Sequence, residues 1–510
     1  MFNKKHLALL TDFYELTMGR GYFHSDMRDR IAYFDVFFRQ NPDSGGYSIV
    51  CGLERICRYL QNLCFEEDDI EYLRSKKVFD EERHRFIAGI DSQIYEAAKI
   101  DGANRLQTAV RIFRFTGDVW AIPEGSVIFP GEPILTVRAP VIEAQLVETY
   151  ILLTLNHQSL VATKASRMVR AADGRPISEF GSRRAQGPAG AILGARAAYI
   201  GGCASTACAL SDKIFGVPAG GTMAHSWVQM FDSEYDAFSQ YIKLYPENPT
   251  LLIDTYSVLE SGLPNAIRAI KDHLLPTGRT KCAVRIDSGD IAYLSRKTRK
   301  ILDEAGLTDC KIFASNSLDE YIIADLLRQG AQIDGFGIGE RLITAKSDPV
   351  FGCVYKLAAV EEEDGTITPK IKISENVGKI TNPHVKDVYR FYSNETGKAE
   401  ADLIILSEET IEDGEPIEIF DPDYTWKRKL MTDYTLRRLK VPVFKNGECI
   451  YNFPELDEIR AHCARELNTM WEEVLRFDNP HHYYVDLSEK LWTLKHEMID
   501  HAKNRDKIKK

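Results

Sequence analysis

The 510-residue sequence contains no apolar run approaching the roughly 20 residues that a bilayer-spanning helix needs, so no membrane span is expected. Basic residues are not in excess. There are 64 Lys and Arg against 75 Asp and Glu, a formal net charge of −11 and a sequence pI of about 5.7. A protein that tracks a nucleic-acid backbone carries a basic surplus, so this balance argues against nucleic acid as the main ligand. Local arginine clusters can still bind phosphate within an acidic chain. Ten cysteines occur without a Cys-x-x-Cys spacing, from which zinc sites and redox pairs are built. The opening residues, Met1-Phe2-Asn3-Lys4-Lys5-His6, lack the apolar stretch and small-residue cleavage site of an export signal. Buried free thiols and a cytoplasmic location are therefore expected. Internal repeats and low-complexity segments are also missing.

What is present is an ordinary globular balance, 44% apolar and 27% charged, in a chain long enough for two or three domains. A helix is expected within residues 1–30, where Leu9, Phe13, Leu16 and Met18 fall near a 3.6 period. A strand over 30–38 and helices over 52–64 and 66–100 follow. Short strands at 110–115, 119–122 and 133–137 are divided by Thr116-Gly-Asp, Pro123-Glu-Gly and Pro130-Gly-Glu turns, as in a small antiparallel sheet. Helices resume over 142–155 and on to 172. The middle of the chain is a ladder of apolar runs beginning near Ile177, Ile200, Val217, Leu251, Ala283, Ile312, Ile333 and Val354, most of them followed by a helical stretch. A parallel return needs a crossover, so strand–helix repetition implies a parallel sheet. Eight candidate strands favour a closed α/β barrel over an open doubly wound sheet. Residues 353–450 return to strands and turns, and helices are expected over 456–475 and 487–502.

Polar residues and glycines recur just after the ladder's runs. They are Glu179-Phe-Gly-Ser-Arg-Arg184, Gly201-Gly-Cys-Ala-Ser-Thr206, Gly220-Gly-Thr-Met-Ala-His-Ser226, Asp254-Thr255, Arg285-Ile-Asp-Ser-Gly-Asp290, Ser315-Asn-Ser317 and Gly335-Phe-Gly-Ile-Gly-Glu340. In a parallel barrel these positions converge on one mouth. Their types fit a phosphorylated ligand. Glycine lets backbone N–H groups approach phosphate, and Arg183, Arg184 and Arg285 can bond phosphate or carboxylate in two-pronged fashion. Asp254, Asp287 and Asp290 can hold Mg²⁺ carried by a pyrophosphate. Each has a plainer reading. A Gly-Gly pair makes turns, Asp287–Asp290 caps the helix starting near Ile291, and His225 is a core or a catalytic histidine. Arg183-Arg184 is a surface pair, and Tyr14 an apolar-face residue. His481-His482 looks like a metal pair, but no Cys or acidic partner is spaced for it.

Seven segments together resemble the nicotinate phosphoribosyltransferases, almost end to end. They are Leu10-Thr-Asp-Phe-Tyr-Glu-Leu-Thr-Met18, Phe180-Gly-Ser-Arg-Arg184, Gly220-Gly-Thr-Met-Ala-His-Ser-Trp227, Leu252-Ile-Asp-Thr-Tyr256, Arg285-Ile-Asp-Ser-Gly-Asp290, Gly337-Ile-Gly339 and Asn479-Pro-His-His-Tyr-Tyr-Val-Asp-Leu-Ser488. The resemblance implies an irregular parallel α/β barrel with an α/β sandwich domain built from N-terminal and C-terminal segments. The division expected is 1–145, sandwich; 146–355, barrel; 356–510, return to the sandwich with terminal helices. It implies joining of nicotinate to phosphoribosyl pyrophosphate, giving nicotinate mononucleotide and pyrophosphate, for NAD synthesis. Mg²⁺ accompanies the pyrophosphate, and ATP hydrolysis through a phosphohistidine at His225 drives the reaction. A homodimer with shared sites is implied, Tyr14 reaching the partner's barrel mouth.

The roles that follow are these. Phe180 and Tyr14 stack on the pyridine ring, which becomes cationic. Arg285 and Ser205 meet the nicotinate carboxylate, and Arg183 faces the phosphoribosyl phosphates. Asp287 holds Mg²⁺ or ribose hydroxyls, with Ser288 beside it at the substrate. Gly337 and Gly339 offer backbone donors to the 5′-phosphate. Thr222 leaves room for phosphate beside His225, and Asp254 orients the imidazole. The related nicotinamide enzymes carry an acid near Ser205, which a carboxylate would avoid. Where some relatives have threonine after Gly-x-Gly, this chain has Glu340. Some carry a C-terminal cysteine cluster, whereas Cys449 and Cys463 stand alone here, so no zinc is expected.

Overall fold

The structure is a computed structural model that describes residues 5–25, 27, 29–80, 85–88 and 113–508. Contacts divide the chain into two compact units. One comprises Met1–Ser159, Val350–Glu455 and Arg465–Lys510; the other comprises Leu160–Pro349 and Leu456–Ala464. Two of the divisions fall inside the helices Glu148–Ala171 and Leu456–Thr469, where no turn or composition change marks them.

The second unit is built on six parallel strands in the order Thr250–Leu252, Ala283–Ile286, Lys311–Asn316, Gly335–Ile338, Ile177–Glu179 and Ser205–Thr206. Thr206 adds a parallel bridge to Ala219. Leu251, Leu252, Val284, Ile286 and Ile312 are wholly buried, as strands covered on both faces require. Crossover helices Glu234–Leu244, Ile291–Glu304 and Glu320–Arg328 start where Ser233, Asp290 and Asp319 accept a hydrogen bond from a first-turn N–H. Gly306 and Gly330, at φ 79° and 76°, stand just past the ends of the last two.

This is the expected ladder with fewer strands. Ile200 ends the helix Gly187–Ile200, and the strand after it begins only at Ser205. The run at Val217 contributes a single bridge. Val354 belongs to the other unit, where Val354–Glu361 pairs antiparallel with Ile31–Phe37.

In that first unit the N-terminal and C-terminal parts of the chain share one seven-stranded sheet. Its order is Ile367–Pro369, Val354–Glu361, Ile31–Phe37, Leu135–Pro140, Asp118–Ala121, Val441–Lys445 and Glu448–Cys449. The helix expected over 66–100 is much shorter. Glu67–Ser75 is helical, and the β-branched and aromatic residues after it form the pair Lys77–Asp80 and Arg85–Ala88. Residues 89–100 of that expectation, and 110–112 of the expected strand over 110–115, lie outside the described residues; 113–115 is irregular. No helix among the described residues is long and apolar enough to cross a membrane. None of the ten cysteines, all of them described, is joined in a disulfide.

A buried ion network anchors the C-terminal segment. Arg390 bonds Asp402 with two prongs, at 2.8 and 2.6 Å, and reaches Glu466 at 3.3 Å and the Val127 carbonyl at 3.0 Å. Tyr483, within the Asn479–Ser488 segment, donates to Asp402 at 3.0 Å and stacks on Phe129. That segment therefore has a structural use in Tyr483. Arg390→Met leaves buried carboxylates without their counter-charge, so a loss of about 3–5 kcal/mol in stability is expected, read as a lowered melting temperature. A wild-type melting temperature would show that the network is dispensable.

Candidate active site

The strand register of the parallel sheet lines up the C-terminal ends of its strands. Ser205 lies opposite Ser178, Ser178 opposite Gly337, and Gly337 opposite Ser315. Hydrogen bonds carry the same line across the remaining two strands. The Ser315 hydroxyl donates to Asp287 Oδ1, and the Asp287 N–H donates to Asp254 Oδ2 at 3.1 Å. Small or acidic side chains thus form one row across the sheet.

At one end of this row stands His225, the first residue of the short helix His225–Gln229. Its Nε2 lies 3.9 Å from Asp287 Oδ2, and its Nδ1 lies 3.2 Å from the Thr255 hydroxyl. The side chain bonded to the imidazole is therefore that of Thr255. Asp254, assigned that role from sequence, is engaged elsewhere: its Oδ2 accepts from the Asp287 N–H and from the Ser288 hydroxyl at 2.6 Å. Two residues before His225, the Met223 carbonyl accepts from Arg285 Nη2 at 2.8 Å. Burial lowers the pKa of Arg285, while Asp287 and Asp254 pull it back up and Arg183 lowers it further. Its Nε is buried without a hydrogen-bond partner, as is Asp254 Oδ1. Two such orphaned groups of opposite charge, a guanidinium and a carboxylate, suit a ligand or ion that completes both.

Farther along the row, over Gly337, is Phe180. Its ring occupies the place where a side chain on Gly337 would be: a Cβ there would lie 2.5 Å from Phe180 Cδ2. A Cβ on Gly339 would come within 3.1 Å of the Phe180 carbonyl. Glycines at these two positions let the aromatic ring lie down on the strand. Gly337→Ala must push the ring away, so a fall of at least about tenfold in the rate at low substrate is expected from displacing a positioning group. Steady-state kinetics check this, and unchanged kinetics would show that the ring's place does not matter.

Other expected site residues are more loosely placed. Ser205 and Ser178 pair their hydroxyls at 2.8 Å. Thr222 donates to the Met223 carbonyl at 3.3 Å. Arg183 is exposed on the turn Ser182–Arg184. Asp290 caps the helix Ile291–Glu304, accepting from the Tyr293 N–H at 2.9 Å, so its carboxylate is engaged there. Glu340 is held by Lys346 at 2.6 Å, a bond that lowers its pKa. Tyr14 belongs to the other unit. It lies exposed on the helix Phe13–His24, and burial and then the nearby Glu148 raise its pKa.

Comparison with known proteins adds the decisive observation. Residues 9–156 match the nicotinate phosphoribosyltransferase (NAPRTase) N-terminal domain, and residues 385–495 match the nicotinate phosphoribosyltransferase C-terminal domain. Over 504 residues the chain is 38% identical to nicotinate phosphoribosyltransferase of Bacillus subtilis (strain 168), covering 99% of this chain and 97% of the relative. The chain belongs to the nicotinate phosphoribosyltransferase family. The nicotinate phosphoribosyltransferase of Caenorhabditis elegans is 33% identical over 549 residues, covering 96% of this chain and 93% of the relative. The crystal structure of human nicotinic acid phosphoribosyltransferase has a TM-score of 0.77 at 26% identity, covering 96% of this chain and 99% of that one. Within this nicotinate phosphoribosyltransferase fold, Thr255, Ser315 and Ser178 are the site contacts that sequence reading missed. Thr255 and Ser315 lay inside segments already noted, but only the cross-strand pairing assigns them partners.

Proposed function

We propose that this chain joins nicotinate to phosphoribosyl pyrophosphate, forming nicotinate mononucleotide and pyrophosphate, with ATP hydrolysed through a phosphohistidine at His225. The observation that carries this reading is the unbroken line of contacts from the imidazole to the aromatic ring: His225, Asp287, Ser315, Gly337 and Phe180. The nicotinate ring nitrogen attacks C1 of the ribose as the C1–pyrophosphate bond breaks. Positive charge builds on the ribose and remains on the pyridinium, and the Phe180 face favours it. Arg285, with its free Nε, takes the anionic carboxylate, and Arg183, Gly337 and Gly339 take phosphates.

Asp254 Oδ1 and Asp287 Oδ2 are the oxygens that would hold Mg²⁺ arriving with the pyrophosphate, where the ion offsets charge on the leaving group. His225 attacks the terminal phosphorus of ATP through a ring nitrogen, and ADP leaves. Thr255 holds the ring for that step, with Thr222 beside it. The protein works in the cytoplasm as a homodimer. Exposure of Phe13 and Tyr14 on the first helix supports a role for Tyr14 at the site of a second copy.

The test is incubation with nicotinate, phosphoribosyl pyrophosphate, Mg²⁺ and ATP, with the product followed by mass. Nicotinate mononucleotide is expected. A preference for nicotinamide over nicotinate would overturn the assignment.

A further inference from the structure

Ser178 is a member of the strand-end row, two residues before Phe180. Its hydroxyl is 2.8 Å from that of Ser205, directly opposite in the parallel register. On its other flank it faces Gly337, which has no side chain. Alternation along a strand sets Ser178 and Phe180 on one face and Glu179 on the other. The contacts agree: the Glu179 carboxylate is wholly buried and accepts from Thr206 Oγ1 at 2.7 Å and from the Gly181 N–H. The carboxylate nearest in sequence is thus turned away and already satisfied. Beyond Ser205 lies Gly220, where even a Cβ would remain 3.6 Å from the Ser205 hydroxyl. Two paired hydroxyls, flanked by glycines and lying on the Phe180 side of the strand, have donors to offer and no charge to repel an anion.

We infer that Ser178 is a specificity-determining residue that, together with Ser205, holds the carboxylate of the aromatic acid substrate. This rests on the reading of the Phe180 pocket as the nicotinate site. Without substrate the Ser205 hydroxyl donates to that of Ser178. An entering carboxylate accepts one O–H from each, exchanging one neutral hydrogen bond for two charge-assisted ones. A ring amide can make the same number of bonds, but without charge they are roughly half as strong. Loss of Ser178 therefore falls more heavily on the acid than on the amide.

The experiment compares kcat/KM for nicotinate and nicotinamide in the wild type, Ser178→Ala, Ser205→Ala, the double variant and Ser178→Asp. For Ser178→Ala the expected fall with nicotinate is about tenfold or more, the scale of one hydrogen bond to a charged group, and clearly smaller with nicotinamide. The double variant should lose less than the product of the two single losses, because either change alone breaks the pair. Ser178→Asp should move the preference toward the amide. Ser178→Cys, of similar size but a weak donor, should follow Ser178→Ala, which separates donation from packing. If Ser205→Ala impairs nicotinate use while Ser178→Ala does not, this inference fails alone. If neither single variant changes nicotinate use, the carboxylate lies elsewhere, and the inference fails together with the reading of the pocket.

Discussion

His225→Ala is expected to abolish transfer of phosphate from ATP to the protein while leaving a slow, ATP-independent transfer to nicotinate. The imidazole is the group with a free ring nitrogen at the site, and it stands between two fixed neighbours, Thr255 on Nδ1 and Asp287 near Nε2. Removing it removes the nucleophile outright, so labelled phosphate on the protein should fall to background. Phe180, Arg285 and the glycine strand Gly335–Ile338 remain, the groups proposed to bind the ring and the phosphates. The check is protein labelling with ATP carrying a radioactive terminal phosphate, paired with product formation with and without ATP. Persistent labelling, or unchanged ATP dependence, would refute the phosphohistidine.

The second large effect is expected at Arg285. Arg285→Ala removes the donor to the Met223 carbonyl and also the buried Nε that has no partner within the protein. A fall of about a hundredfold to a thousandfold in kcat/KM for nicotinate is expected, the scale of one or two charge-assisted hydrogen bonds. Arg285→Lys keeps the charge but not the planar fork, so only part of the loss should be recovered. Full activity in the lysine variant would mean that a point charge suffices, and that the anchoring of the loop before His225 contributes nothing.

The chemistry of the site was legible in sequence because glycines and charged residues cluster immediately after short apolar runs, a pattern that folding alone does not require. Strand count was not, since an apolar run has no period that separates a buried strand from a helix end. The Ala-rich stretch up to Ile200 is such a helix end, and Val354 begins a strand of a different, antiparallel sheet. Partners across strands were also hidden. Asp254 and Thr255 are adjacent in sequence, yet the first bonds the Asp287–Ser288 turn and the second the His225 ring. Only strand register and the local turn decide which does which. Analogy with other carboxylate–histidine pairs points to Asp254 for the imidazole, whereas in the structure the ring bonds the Thr255 hydroxyl. The acidic residue keeps a different use, fixing the backbone that carries Asp287.

Distant loops meet above one row of strand ends, and a crystal structure of the protein with nicotinate mononucleotide tests this most directly. The pyridine ring should lie against Phe180, its carboxylate toward Ser178, Ser205 and Arg285, and its phosphate over Gly337 and Gly339. A nucleotide bound away from Phe180, or one whose ring leaves Asp287 and His225 facing empty solvent on the far side of the sheet, would contradict it.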